Sequence, residues 1–198
     1  MTRRLQADDA VSPVIGVMLM LVVTLIIAAV VSAFAAGLAD SQNEIPQASI
    51  TATFSVSDGM EIYHSGGDAL SLSKVQFVLR HSDMFGADMA SRSASIINKT
   101  LMNGQPDGKG TPVMNMRGEY GILALTPGNA LYITEANCNA TLLQPEVAPA
   151  SWDPSDRRYK SFYPLCFQNP NNIGKTFYLE ATDLKGNLIS RSEVVIKP

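Results

Sequence analysis

The sequence predicts an α+β protein, a long N-terminal hydrophobic α-helix followed by an all-β (β-sandwich, Ig-like) head domain. Three observations predict it. The stretch Val11–Ala39 contains no charged residue. Beyond it, short runs alternate apolar and polar residues with the period of two that marks half-buried strands. Turn residues separate those runs, and no second long helical pattern occurs. The expected division is a leader over residues 1–10, a hydrophobic helix over 11–45 and a head over 46–198.

The helix comes first. Arg3, Arg4, Asp8 and Asp9 precede it and Asp40 follows it. At ~1.5 Å per residue, a helix over 14–38 is roughly 38 Å long, more than the ~30 Å hydrocarbon core of a bilayer. Each Val, Leu or Ile side chain left in water forgoes about 1.5–3 kcal/mol, so the helix requires lipid or protein around it. Ser12 is expected to cap the free N–H groups and Pro13 to take the first helical position. Pro46 biases its predecessor away from helix.

Apolar residues surround the helix without a polar stripe, so periodicity leaves a lipid anchor and a packed multi-helix core both open. Small residues form two rows: Thr24, Ala28, Ser32 and Ala36, then Ala29, Ala33 and Gly37, with Gly16 near the start. Such rows let helix backbones approach closely. The hydroxyls of Thr24 and Ser32 are expected on carbonyls one turn back.

The 198 residues are 46% hydrophobic and carry a formal net charge of −3. No basic cluster exceeds Arg157, Arg158 and Lys160, so a nucleic-acid partner is not expected. Arg3 and Arg4 are expected to hold the N-terminus on the inner side of a membrane, with the acidic Asp40 and Glu44 side and the head outside. Cys138 and Cys166 are either one disulfide or two buried thiols. A bond would close a loop of about 29 residues and contribute roughly 3–4 kcal/mol. The sequons at Asn98 and Asn139 mark candidate glycan sites on an exported head.

Within the head, Ile50, Ala52, Phe54 and Val56 alternate with Thr51, Thr53, Ser55 and Ser57, a strand closed by Asp58 and Gly59. Residues 60–64 read as its hairpin partner. After the turn Ser65-Gly66-Gly67-Asp68, a third strand carries Val75, Phe77 and Leu79, making a meander. From 82 to 118 the signals weaken, with a short strand at 95–97 and a turn at 103–108. Order returns at 121–125 and 130–134. The proline-rich stretch 144–164 excludes a central strand, and Trp152, Tyr159, Phe162 and Tyr163 are expected to pin it. A final hairpin pairs Phe177, Leu179 and Ala181 with residues 188–196 around a turn at 183–187.

Chemistry is sparse. His64, with Glu61 and Asp68, can be drawn as a metal site, but Gly66-Gly67 favours a turn. Ser71-Leu72-Ser73-Lys74 fits S-x-x-K without either companion motif of that catalytic class. No catalytic residue, cofactor or metal is expected, and the chain reads as a non-enzyme.

Three readings of the N-terminus remain: a secretory signal cut after Ala33-Phe34-Ala35, an uncleaved anchor, or a cut ahead of a helix that survives. The run Asp9-Ala10-Val11-Ser12-Pro13-Val14-Ile15-Gly16-Val17 and the Met, Leu and Val residues after it resemble archaeal type IV pilin-like proteins. His64-Ser65-Gly66-Gly67-Asp68-Ala69-Leu70 also resembles a segment common in the heads of that family. The resemblance does not extend to residues 82–170.

The resemblance implies a class III signal peptide, with prepilin peptidase cutting between Ala10 and Val11 after Asp9. It implies a subunit that sits in the cytoplasmic membrane before assembly and then joins copies of itself in a helical surface filament, with membrane assembly machinery as further partner and adhesion as the task. Bacterial type IV pilins carry an acid at the fifth mature position, here Ile15, so small residues and shape would set the packing instead. The runner-up expectation is a minor pilin-like or monomeric membrane-anchored extracellular binding protein. A secreted enzyme is the third.

Overall fold

The computed structural model describes residues 11–39, 45–148 and 162–198. Asp9, Ala10, Trp152, Tyr159 and the basic triplet Arg157, Arg158 and Lys160 lie outside the described residues. The chain divides into two compact units, Met1–Glu44 and Ile45–Pro198.

The first unit is the helix α1, Val11–Ala39. It takes in Ser12 and Pro13 instead of starting after a Ser12 cap. Pro13 is still in the first turn, whose N–H groups lack intrahelical acceptors, so its missing donor costs nothing there. The apolar part, Val14–Phe34, is 21 residues with mean hydropathy 3.1. At ~1.5 Å per residue this segment is about 31 Å long, close to the hydrocarbon thickness of a bilayer.

The second unit contains β1 (Ala48–Ser55), β2 (Gly59–Gly67), β3 (Leu70–Ser71), β4 (Val75–His81), a one-turn helix α2 (Met89–Arg92), β5 (Ser95–Ile96), β6 (Ala124–Leu125), β7 (Ala130–Ile133), β8 (Thr176–Asp183) and β9 (Leu188–Lys197). Seven strands form one sheet in the order β5-β4-β8-β9-β1-β2-β7, and β3 pairs with β6 apart from it. The α+β class holds.

The layers of the head are not two independent sheets. β1 meets β9 in parallel only at Phe54↔Ile196 and Ser55↔Lys197. The sheet curls at that joint and wraps one core, in which Phe54 and Phe177 meet edge to face at 5.7 Å and Phe167 stacks on Phe177 at 4.1 Å. Edge-to-face and offset stacks are the favoured aromatic geometries, so the three rings tie both halves of the curl together.

Alternation in the sequence becomes alternation in burial. Ile50 and Phe54 point inward while Thr51 and Thr53 are exposed. The β1–β2 hairpin places Phe54 opposite Met60 and Ala52 opposite Ile62. Gly59, at φ +95°, closes it, and a Cβ there would lie 2.2 Å from the carbonyl oxygen of Ile133. Only glycine fits that conformation and that approach.

The expected meander of the first three long strands is corrected by the pairing. β4 does not join β2; it lies between β8 and β5, and the second neighbour of β2 is β7. Between β2 and β4 the chain enters the core. Leu70 and Leu72 are fully buried, Leu72 N–H donates to Leu123 O at 2.9 Å, and Lys74 N–H closes a turn on Ser71 O at 2.9 Å. Burying those two leucines takes the chain out of register with β2.

The closing hairpin follows the sequence closely. Asp183 Oδ1 accepts from the N–H groups of Lys185 and Asn187, both at 2.8 Å, and Gly186 N–H donates to Asp183 O at 3.1 Å. Those bonds fix the β8–β9 turn, as aspartate turn chemistry requires, and they hold the Asp183 carboxyl below the usual carboxylate range, the Asn187 side chain acting most strongly.

Candidate assembly interface

Every residue of α1 from Val14 to Phe34 is exposed; Met20 and Phe34 are both 72% exposed. Thr24, Ala28 and Ser32 occupy one row and Ala29 and Ala33 the next. Ala36 and Gly37 are in the helix backbone, but their surroundings lie outside the described residues. Thr24 Oγ1 donates to Leu21 O at 2.9 Å, which satisfies that hydroxyl inside the helix. A Cβ added at Gly16 would meet nothing within 4 Å. The fold of a single chain therefore does not require glycine there. Val11 is the first residue of α1.

At the start of the head, His64-Ser65-Gly66-Gly67-Asp68 forms a clasp on Gln47. Asp68 N–H donates to Gln47 O at 2.8 Å, and Gln47 N–H donates to Asp68 Oδ2 at 2.9 Å. Gly67, at φ +98°, lets the two backbones touch; a Cβ there would be 2.2 Å from Gln47 O. His64 is fully buried and its Nε2–H donates to Asp68 O at 2.8 Å, leaving Nδ1 buried without a partner. Glu61, three residues earlier on the same strand, lies on the opposite face. No group of three His, Cys, Asp or Glu suited to a metal occurs among the described residues. The role of Gln47 was not readable in the sequence, because its partner is 21 residues away.

The structure departs from the Cys138–Cys166 disulfide. Both are free, buried thiols. Cys138 packs in the main core, with Sγ directed at Ile133 O, 3.7 Å away. Cys166 packs in a small second cluster with Ala140 and Val147, its Sγ directed at Phe162 O at 3.6 Å. Burial pushes the Cys138 thiol up to about 12 and the Cys166 thiol up to about 11.

His81 anchors the second cluster to the sheet. Its Nε2–H donates to Leu165 O at 2.7 Å, and its ring packs against Phe85 and Phe167. Gln144, also buried, accepts from Phe167 N–H at 2.9 Å. Burial holds the His81 imidazole below its ordinary value, against the opposing effect of the Leu165 hydrogen bond. Tyr163 is partly buried against the second cluster, and Phe162 is 37% exposed.

The two sequons differ in geometry. Asn98 is exposed, and its Oδ1 accepts from Thr100 N–H at 3.0 Å. Asn139 is half-buried, and its side chain is used three times: Nδ2 donates to Ala136 O at 3.0 Å while Oδ1 accepts from Thr141 Oγ1 at 2.7 Å and from Leu142 N–H at 3.1 Å. In the S-x-x-K run, Leu72 is fully buried and Ser71 Oγ lies 3.1 Å from Ser73 Oγ, a pairing of two exposed hydroxyls in a turn.

These features define a class: an exposed apolar N-terminal helix followed by a β-rich head. Residues 9–50 match the model of the archaeal type IV pilin N-terminal domain, the family that the start of the chain resembles. That match runs through α1 into β1. An uncharacterized protein of Archaeoglobus fulgidus is 35% identical over 81 residues, which are 40% of this chain and 57% of the relative. The likeness thus spans little more than half the length of that protein.

Proposed function

We propose that the chain is a structural subunit of an archaeal type IV pilus-like surface filament, assembled through α1 and used for adhesion. One observation carries the reading: a 21-residue apolar helix with no buried residue, inside a segment that matches the pilin N-terminal domain. An apolar surface of this size needs cover. A bilayer supplies it before assembly, and the helices of other copies supply it afterwards. The rows Thr24–Ala28–Ser32–Ala36 and Ala29–Ala33–Gly37, with Gly16, would then be the close contacts. Head-to-tail contacts that do not close a ring would give an open filament.

On this reading prepilin peptidase removes residues 1–10 after Asp9 and Ala10, and the assembly machinery extracts the mature chain from the membrane. The test is cell fractionation with a packing variant. The wild-type chain is expected in sheared surface filaments, and Ala28→Leu or Ser32→Leu is expected to leave it in the membrane fraction. Unchanged filaments from both variants would remove the small-residue rows from the account. Wild-type chain confined to the membrane while filaments form would favour a monomeric anchored binding protein.

A further inference from the structure

Strand pairing builds an outward face that the sequence does not reveal. Across β1, β2 and β7, Thr53 lies opposite Glu61 and Glu61 opposite Tyr132; one row along, Thr51 lies opposite Tyr63. Glu61 and Tyr132 are cross-strand neighbours, and partial burial, followed by the negative charge of Glu61, raises the Tyr132 phenol above the ordinary tyrosine range. The Glu61–Tyr132 pair stands between two clefts. One, of about 300 Å³, runs from Thr53 and Ser55 to Pro106 and Lys197. The other, of about 400 Å³, is lined by Tyr63 and Asn129 and floored by β7. Each is within the ~300–1,000 Å³ range of small-molecule sites.

We propose that this face binds a neutral oligosaccharide, laid across the Glu61–Tyr132 pair with one sugar unit in each cleft. The chemistry of the face selects that occupant. Tyr63 is 40% exposed and offers a ring on which the C–H face of a sugar can stack. The carboxylate of Glu61, the hydroxyl of Thr53 and Asn129 Oδ1 are matched to sugar hydroxyls, while Asn129 Nδ2 donates to Thr126 Oγ1 at 2.7 Å and Thr51 Oγ1 pairs with Ser65 Oγ at 3.0 Å. Asp58 and Glu61 outnumber Lys197 in the first cleft, which disfavours phosphates and acidic ligands. The strand register sets Glu61 beside Tyr132 before any ligand arrives, which lowers the ordering cost of binding.

The test is titration of the full chain in micelles of a zwitterionic, sugar-free detergent with maltotriose, mannotriose and N,N′,N″-triacetylchitotriose. Saturable binding of at least one is expected. Tyr63→Ala and Glu61→Gln are each expected to weaken it about tenfold, or about 1.4 kcal/mol, whereas Lys185→Ala on the distant β8–β9 turn leaves it unchanged. Far-UV circular dichroism and thermal unfolding of each variant separate lost binding from lost fold. Absence of binding by all three sugars at about 10 mM, an affinity below any useful range, overturns the proposal. Equal binding by wild type and both folded variants overturns it as well. Neither outcome bears on filament assembly, which this measurement does not involve.

Discussion

The backbone N–H of Ile50 donates to the Oγ of Ser190 at 2.9 Å, across 140 residues of chain. Two residues on, Ala52 N–H donates to Ser192 Oγ at 3.2 Å. Where β1 and β9 diverge, serine hydroxyls replace the carbonyls of a regular ladder. This is how the sheet curls without stranding buried donors. Ile50 is 3% exposed, so Ser190→Ala would leave its N–H unpaired at a cost of about 1–3 kcal/mol. Thermal unfolding should show a Tm lower by about 2–4 °C per kcal/mol for a head of this size. An unchanged Tm would mean that water replaces the hydroxyl at no cost.

Stability should fall on acidification because of His81. Burial holds its imidazole below the ordinary value of 6.5. Below that ordinary value the unfolded chain binds more protons than the folded one. The contribution is therefore fully present above about pH 6.5 and is lost as pH falls toward and through the folded value. His81→Gln should flatten this part of the profile, measured as Tm between about pH 7.5 and about pH 5. Parallel profiles for wild type and variant would count against it.

The thiols should be inert in the folded protein. With Cys138 pushed up to about 12 and Cys166 up to about 11, almost no thiolate exists at neutral pH. Iodoacetamide should label neither in the native chain and both after denaturation, with no reductant present. Failure to label the denatured chain until reductant is added would establish the disulfide instead.

Glycan attachment, if the producing cell performs it, should favour Asn98. The bond is made to Nδ2, and at Asn139 that atom is already bound to Ala136 O. Mass spectrometry of tryptic peptides from native filaments should find the glycan on the Asn98 peptide and an unmodified Asn139 peptide. Modification confined to Asn139 would contradict the geometric argument.

Local patterns carried much of the fold. The alternation from Ile50 became β1, which ends at Ser55 ahead of Val56 and Ser57 in the turn; the Asp183-to-Asn187 turn closed β8 on β9, and the uncharged run became α1. Register-dependent features did not show. Nothing in Val75, Phe77 or Leu79 says whether β4 joins β2 or β8; that choice follows from the burial of Leu70 and Leu72 between them. The same limit concealed the Thr53–Glu61–Tyr132 row, whose members come from three strands. The cysteines misled because an even pair carries no distance information, and Cys138 and Cys166 pack in different clusters. The turn expected over Ser65-Gly66-Gly67-Asp68 is mostly strand, because β2 runs to Gly67 and pairs there with Ala48; the clasp of Asp68 on Gln47 needed that register.

The account is tested most directly by the N-terminal residue of the subunit in purified surface filaments, determined by sequencing or intact mass. It predicts a chain that begins at Val11 and retains the whole of α1. A chain that begins at Ala36, or filaments that lack this chain while it stays in the membrane, would contradict it.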